Sequence, residues 1–297
     1  MEDKKLIRVA TYTSVTVATI FIGIKFYAWW MTDSSSLLAS LLDSVLDALA
    51  SILILFAVRQ SQQPATRDYR FGYGKIEALA ALAQSVLILA SVLWIFYEAF
   101  TRLTHPDVLP TIEPGLWVMV VTILGTLALV AFQNYVVQRT GSVAIRADSM
   151  HYRMDFLLNS GVFLSLCLTH FTHVYWIDPL VAVILAFYIM IPLRQITREA
   201  FGVLMDREIE ETMRRDIEAI ALAHPAVYGV HDLRTRESGD RQFIQMHLEL
   251  DGEITLSQAH KVAEEVEKRI LEKYSKCEII IHQDPVGVVE KRDQFLG

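Results

Sequence analysis

Six stretches of membrane length fill the first two-thirds of the chain, and none recurs after residue 202. They run Leu6–Met31, Ser34–Gln60, Gly74–Leu103, Glu113–Gln138, Ser142–His170 and Tyr175–Ala200. A helix needs about 20 mainly apolar residues to cross hydrocarbon, so the pattern predicts six transmembrane helices. The first run is too long for a signal peptide and has no small-residue cleavage site. Beyond residue 205 the pattern becomes that of a soluble domain. Glu208–Ala223 has helical spacing and stops at His224-Pro225, and Val227–Arg236 and Gln242–Leu250 alternate apolar and polar positions about a turn at residues 237–240. Ser257–Tyr274 is a charged amphipathic helix, and Glu278–His282 returns as a strand. The expected architecture is an α-helical membrane protein with six transmembrane helices over residues 1–205, followed by a cytoplasmic α+β domain over 206–297.

Charge sharpens that division. Of 297 residues 53% are hydrophobic, yet the net charge of −7 falls entirely after residue 205. The tail carries 13 Lys+Arg against 20 Asp+Glu, while the front is balanced at 14 and 14. An acidic tail argues against nucleic acid as a partner, since phosphates require a basic face. Loops on one side hold Arg59, Arg67, Arg70 and Lys75, then Arg139 and Arg146, then Arg194 and Arg198. The opposite loops hold only Arg102, beside Asp33, Asp107, Glu113 and Asp178. The positive-inside rule then predicts that both termini are cytoplasmic. Trp29, Trp30, Trp117 and Trp176 fall near outer ends, as an interfacial aromatic belt requires. Cys167 and Cys277 make neither a disulfide framework nor a metal motif.

Against this apolar background the second span carries Asp43 and Asp47 near its middle, with Ser36 and Ser40 continuing the same stripe. Residues four apart share a helix face. A central aspartate costs roughly 2.5–3.5 kcal/mol on insertion scales, so a pair demands compensation. The fifth span repeats the device with His151, Asp155 and Asn159. His151 lies nine residues in from Ser142, and Asp43 nine in from Ser34, with the two helices entering from opposite faces. At 1.5 Å per residue each lies about 13 Å deep, so both pairs reach the bilayer midplane. Asp43, Asp47, His151 and Asp155 offer three oxygens and one nitrogen, a set that suits a tetrahedral divalent cation, Zn²⁺ foremost. Asn159 and Ser40 are placed to orient those ligands.

LLDSVLD in the second span and ADSMHYRMD in the fifth resemble the cation diffusion facilitator family, in its bacterial zinc/iron efflux branch. FGYGKIEALAALAQS, LMDRE, HDLRTR, FIQMHLELDG, LSQAH and IIIHQDP extend the similarity over essentially the whole chain. The resemblance implies a homodimer in the bacterial inner membrane that exports Zn²⁺, or Fe²⁺, Cd²⁺ or Mn²⁺, in exchange for protons, and no enzymatic activity. It implies that Asp43, Asp47, His151 and Asp155 form the transport site, that Met150 is a hydrophobic gate, and that Lys75 pairs with Asp206 near the dimer contact. It also implies a ferredoxin-like, metallochaperone-like tail with a second metal centre of His231, His247, His260, His282 and Asp284. Alternation along the second and third tail strands independently puts His247 with Gln245 and Glu249, and His282 with Asp284. The loop before the third span departs from the family. Thr66, Tyr69 and Tyr73 stand where relatives hold an Asp and two His, so a loop metal site is expected to be absent, with Asp68 nearby. His105, His170 and His173 read as solvated outer residues.

Two rival functions are weaker on this sequence. A membrane hydrolase needs an open coordination position and a substrate cleft, whereas four protein ligands fill this site. A membrane-bound metal sensor built on the tail centre leaves the intramembrane acids without a role.

Overall fold

The computed structural model describes residues 2–32, 35–104, 116–172 and 176–287. The expected outer-loop residues Asp33, His105, Asp107, Glu113 and His173 lie outside these, as do the side chains of Ser36, Cys167, His170 and Asp178. The chain divides into two compact units, Met1–Leu204 and Met205–Gly297.

The first unit is built from α1 (Glu2–Thr32), α2 (Ser35–Ser61), α3 (Lys75–Thr104), α4 (Leu116–Thr140), α5 (Val143–Thr172) and α6 (Ile177–Leu204). Five of these are long and apolar enough to cross a bilayer; α5 is the exception. The reason lies in its first four turns, which carry Arg146, Asp148, His151, Arg153 and Asp155. Leu42, Leu46, Leu49 and Phe56 of α2 are exposed, as are Trp30, Trp117 and Trp176. Leucines and phenylalanines exposed along a bilayer-length helix form a surface suited to lipid.

Helix α5 packs between α4 and α6 and also touches α2 and α3. Its apolar seam with α3 and α6 holds Ala78, Ala81, Ile88, Val92, Met150, Met154, Ala186 and Ile189. A second cluster joins Ile7, Ile54, Val58, Ala80, Val136 and Ile145 across α1 to α5. The start of α5 is sharply defined. Gly141 takes the left-handed φ of +67° that closes α4, its N–H donating to Val137 O at 2.8 Å. Ser142 then accepts from Ile145 N at 3.4 Å and donates to Glu77 Oε2 at 2.7 Å, tying the first turn of α5 to α3. Nine residues on from Ser142, about 13 Å at helical rise, comes His151.

In the second unit α7 (Glu211–Leu222), β1 (Gly229–Ser238), β2 (Arg241–Leu250), α8 (Leu256–Lys273) and β3 (Cys277–Pro285) follow the expected order. The sheet runs β1-β2-β3, antiparallel on the first seam and parallel on the second. Ile244, Met246, Leu248 and Leu250 of β2 face a core completed by Ile217 and Ala221 of α7 and Val266 and Ile270 of α8. Fully burying a side chain such as Ile contributes about 1.5–3 kcal/mol, so the helices cover that face firmly. The alternate residues of β2, His247 among them, are left to the other face.

Candidate metal centres

Within the membrane unit, donor atoms of Asp47, His151 and Asp155 lie within 4.8 Å of one another. His151 is 7% exposed. Its Nε2 is 2.8 Å from Asp47 Oδ1 and 3.6 Å from Asp155 Oδ2. A tetrahedral ion with bonds near 2.05 Å spaces its ligand atoms about 3.3 Å apart, and the two separations bracket that value. Asp155 Oδ2 and His151 Nδ1 are buried with no hydrogen-bond partner. An unsatisfied carboxylate oxygen beside an imidazole is a place where a cation fits. Asp43, expected as the fourth ligand, does not join this triangle and is exposed one turn away on α2. Asn159 is likewise exposed, one turn beyond Asp155. Met150 is 4% exposed within the α3–α5–α6 seam.

Two features of this neighbourhood were not apparent from the sequence pattern. Asp148, fully buried, accepts from Gln133 Nε2 at 2.7 Å and from Ser51 Oγ at 3.2 Å. Ser51 Oγ in turn lies 2.8 Å from Tyr152 OH, and Gln133 Nε2 also donates to Ser14 Oγ at 2.8 Å. This network joins α5 to α1, α2 and α4 one turn before His151, so it sets the rotation of the ligand-bearing face. The second feature is Lys25 of α1, buried at 8% exposure. Its Nζ donates to Ser44 Oγ at 2.6 Å and to Ser40 O at 3.1 Å.

In the tail a second group forms on the sheet face opposite the core. Strand register sets His231 beside His247 and His247 beside His282, with ring centroids 5.1 and 4.6 Å apart. Asp284, 5% exposed, presents both oxygens to them. Its Oδ2 is 2.6 Å from His247 Nδ1 and 3.2 Å from His231 Nε2, and its Oδ1 is 3.0 Å from His282 Nε2. Three imidazoles around a buried carboxylate are a donor set that fits Zn²⁺. Glu249, which alternation puts on the face of His247, borders the group, as does Asp232, which the sequence did not single out. Glu249 Oε1 is 3.0 Å from His231 Nδ1. Asp232 sits where the β1 register shifts, with φ of +49°, and its Oδ2 is 3.8 Å from His247 Nε2.

His260 does not join the group. Helix α8 lays Ala263, Val266 and Ile270 on the core face of the sheet, away from the histidines. His260 is a quarter-turn off that stripe, 66% exposed at its side chain, and meets Glu264 at 3.4 Å. Of the expected ion pair, Lys75 donates to Leu204 O at 3.4 Å, and Asp206 accepts from Arg236 at 3.3 Å. In the loop before α3, Thr66 Oγ1 lies 3.1 Å from Tyr73 OH, and the Tyr69 and Tyr73 rings are 4.8 Å apart.

Burial raises the Asp284 carboxyl, but the hydrogen bond from His247 and the charges of His247, His282 and His231 outweigh it and hold the group below its ordinary value. A carboxyl depressed in the folded state adds stability above its unfolded value, about 3.9, and that stability is lost as pH falls through the folded value. The metal-free tail should therefore weaken below about pH 4, and Asp284→Asn should flatten the dependence. The denaturant midpoint, read from Cys277 reactivity with dithiodipyridine in a Cys167→Ser background, checks this. An equally steep acid dependence in the Asn variant would contradict it.

Ligand-type side chains buried inside a bundle of bilayer-length helices mark a membrane protein that handles cations. The chain belongs to the cation efflux family: residues 11–205 match the cation efflux transmembrane domain and residues 209–286 the cation efflux protein cytoplasmic domain. It is 42% identical over 287 residues to the cation-efflux pump FieF of Yersinia enterocolitica, covering 97% of this chain and 95% of that one. To the FieF pump of Klebsiella pneumoniae it is 40% identical over 292 residues, covering 98% and 96%. The metal-bound C-terminal domain of the CzcD transporter from Thermotoga maritima is 32% identical, with a TM-score of 0.26, spanning 28% of this chain and all of that domain.

Proposed function

We propose that this protein exports divalent metal cations from the cytoplasm in exchange for protons, working as a transporter rather than an enzyme. The observation that carries the reading is the triangle of half-buried Asp47 and Asp155 around buried His151, held by two helices. Asp43, one turn along the same face of α2, supplies the fourth ligand when an ion is bound. Zn²⁺ suits one nitrogen and three oxygens in a tetrahedron; Cd²⁺, Fe²⁺ and Mn²⁺ share enough of that ligand taste to compete. Near full-length identity to cation-efflux pumps supports export.

Exchange follows from the ligands themselves. Carboxylate and imidazole bind metal only when deprotonated, so loading the site releases protons and their return expels the ion. Met150, adjacent to His151 in the apolar seam, serves as the gate that parts when the site changes its exposure. The loop asymmetry of Lys and Arg supports a bacterial inner-membrane protein with both termini in the cytoplasm. The tail acts there as the homodimer contact. Zinc at His231, His247, His282 and Asp284 binds the folded tail only and so biases the dimer rather than carrying cargo.

The test is purified protein in proteoliposomes given Zn²⁺, Cd²⁺, Fe²⁺ or Mn²⁺ in turn, with interior pH and metal followed together. Zn²⁺ entry should be matched by proton movement in the opposite direction. Metal accumulation without proton movement would remove the exchange, and neither movement would remove transport.

A further inference from the structure

A lysine buried among apolar helices carries a cost of the same order as an intramembrane aspartate. A central Lys costs roughly 2.5–3.5 kcal/mol on insertion scales, and such residues are retained where they have a task. Lys25 is 8% exposed, seven residues before the end of α1. Both of its observed hydrogen bonds go to uncharged oxygens of α2, Ser44 Oγ at 2.6 Å and Ser40 O at 3.1 Å. Those residues flank Asp43 in sequence, and Ser44 is itself 2% exposed. The ammonium is thus moored alongside the carboxylates without being spent on an ion pair with either. Ser44 adjoins Asp43 in the chain, and Ser40 lies on the same stripe of α2 as Asp43 and Asp47.

We propose that Lys25 is a positioning and affinity-setting residue of the transport site, a tethered cation that balances the α2 carboxylates when no ion is present and opposes the dication when one is. Resting on the transport reading above, this deepens it. With two or three carboxylates and no counter-charge, the buried site would hold a dication very tightly, and an exporter must release what it binds. A fixed positive charge in a low-dielectric surround weakens a dication more than a proton, because the repulsion scales with the charge of the ion. Release is the step such a charge speeds, since affinity differences between related complexes reside mostly in dissociation. Ser40 and Ser44 hold the ammonium at the side of α2, leaving the space between α2 and α5 to the cargo.

The experiment compares Lys25→Met, Lys25→Gln and Lys25→Arg with the unmodified protein, measuring Zn²⁺ transport in proteoliposomes as separate KM and kcat. Gln keeps a donor for Ser44 and Ser40, so it covers the case in which Met fails to assemble. Both neutral variants should lower KM about tenfold or more and lower kcat as release becomes limiting, while Arg stays close to the unmodified protein. Neutral variants with unchanged KM, or with raised KM, would overturn the proposal and leave Lys25 as a link between α1 and α2. Asp47→Ala, measured alongside, separates the two levels. Flux that survives its removal sinks the transport site itself; flux that vanishes there but ignores Lys25 sinks this inference alone.

Discussion

Asp47→Ala should abolish metal-driven proton flux, leaving the signal at the level of empty vesicles. Asp47 Oδ1 is the closest charged atom to His151 Nε2, at 2.8 Å, and the two come from different helices. Removing the carboxylate deletes one ligand and breaks the bridge between α2 and α5. What remains paired with the buried imidazole is Asp155, 3.6 Å away. Loss of a partner that merely orients a ligand lowers metal affinity about 10- to 100-fold, so loss of a ligand should exceed the upper figure. Asp47→Asn refines the result: it keeps a hydrogen-bonding oxygen for His151 but gives up the charge. It should lose transport as completely as the alanine variant. Full flux in the asparagine variant would mean that Asp47 only positions His151 and that the cation is held elsewhere.

The second large effect is expected in the tail. His247→Ala should lower zinc affinity there by about 100-fold or more, by the same comparison with orienting partners. His247 is 7% exposed at the middle of the row, with His231 on one side and His282 on the other, and it holds Asp284 Oδ2 at 2.6 Å. Its removal takes a ligand and also frees the carboxylate that the other two imidazoles face. The membrane site should still bind, because Asp47, His151 and Asp155 belong to the other compact unit. Equilibrium dialysis with Zn²⁺ on unmodified protein, His247→Ala and Asp47→Ala should show each substitution removing a different class of bound ion. One class lost in both variants would mean that the two centres are not independent.

Much of this was readable along the chain because both periods are short. Asp43 and Asp47, and His151 and Asp155, reveal themselves as pairs four apart in apolar surroundings. His247 and Asp284 emerge from simple alternation on strands. His260 is instructive in the other direction. Its sequence surroundings gave no reason to separate it from the other histidines, but the apolar stripe of α8 settles which way it turns. Once Ala263, Val266 and Ile270 are laid on the sheet, His260 is carried outward to Glu264. Lys25 was invisible for a related reason. On α1 alone it resembles a lysine near a helix end that reaches for the interface, and only the packing of α1 on α2 turns it toward Ser40 and Ser44.

By itself the sequence determined the number and order of the elements, the division into an apolar front and an acidic tail, and which faces carry ligands. Those features follow from side-chain order and the helical and strand repeats, which are local properties. Only the tertiary structure decided that Asp47 rather than Asp43 closes on His151, that Asp148 anchors α5, and that Asp232 borders the tail histidines. Each depends on the rotation and register of one element against another, set by interdigitated cores and by glycine and bulge geometry, and no repeat within a single segment encodes that.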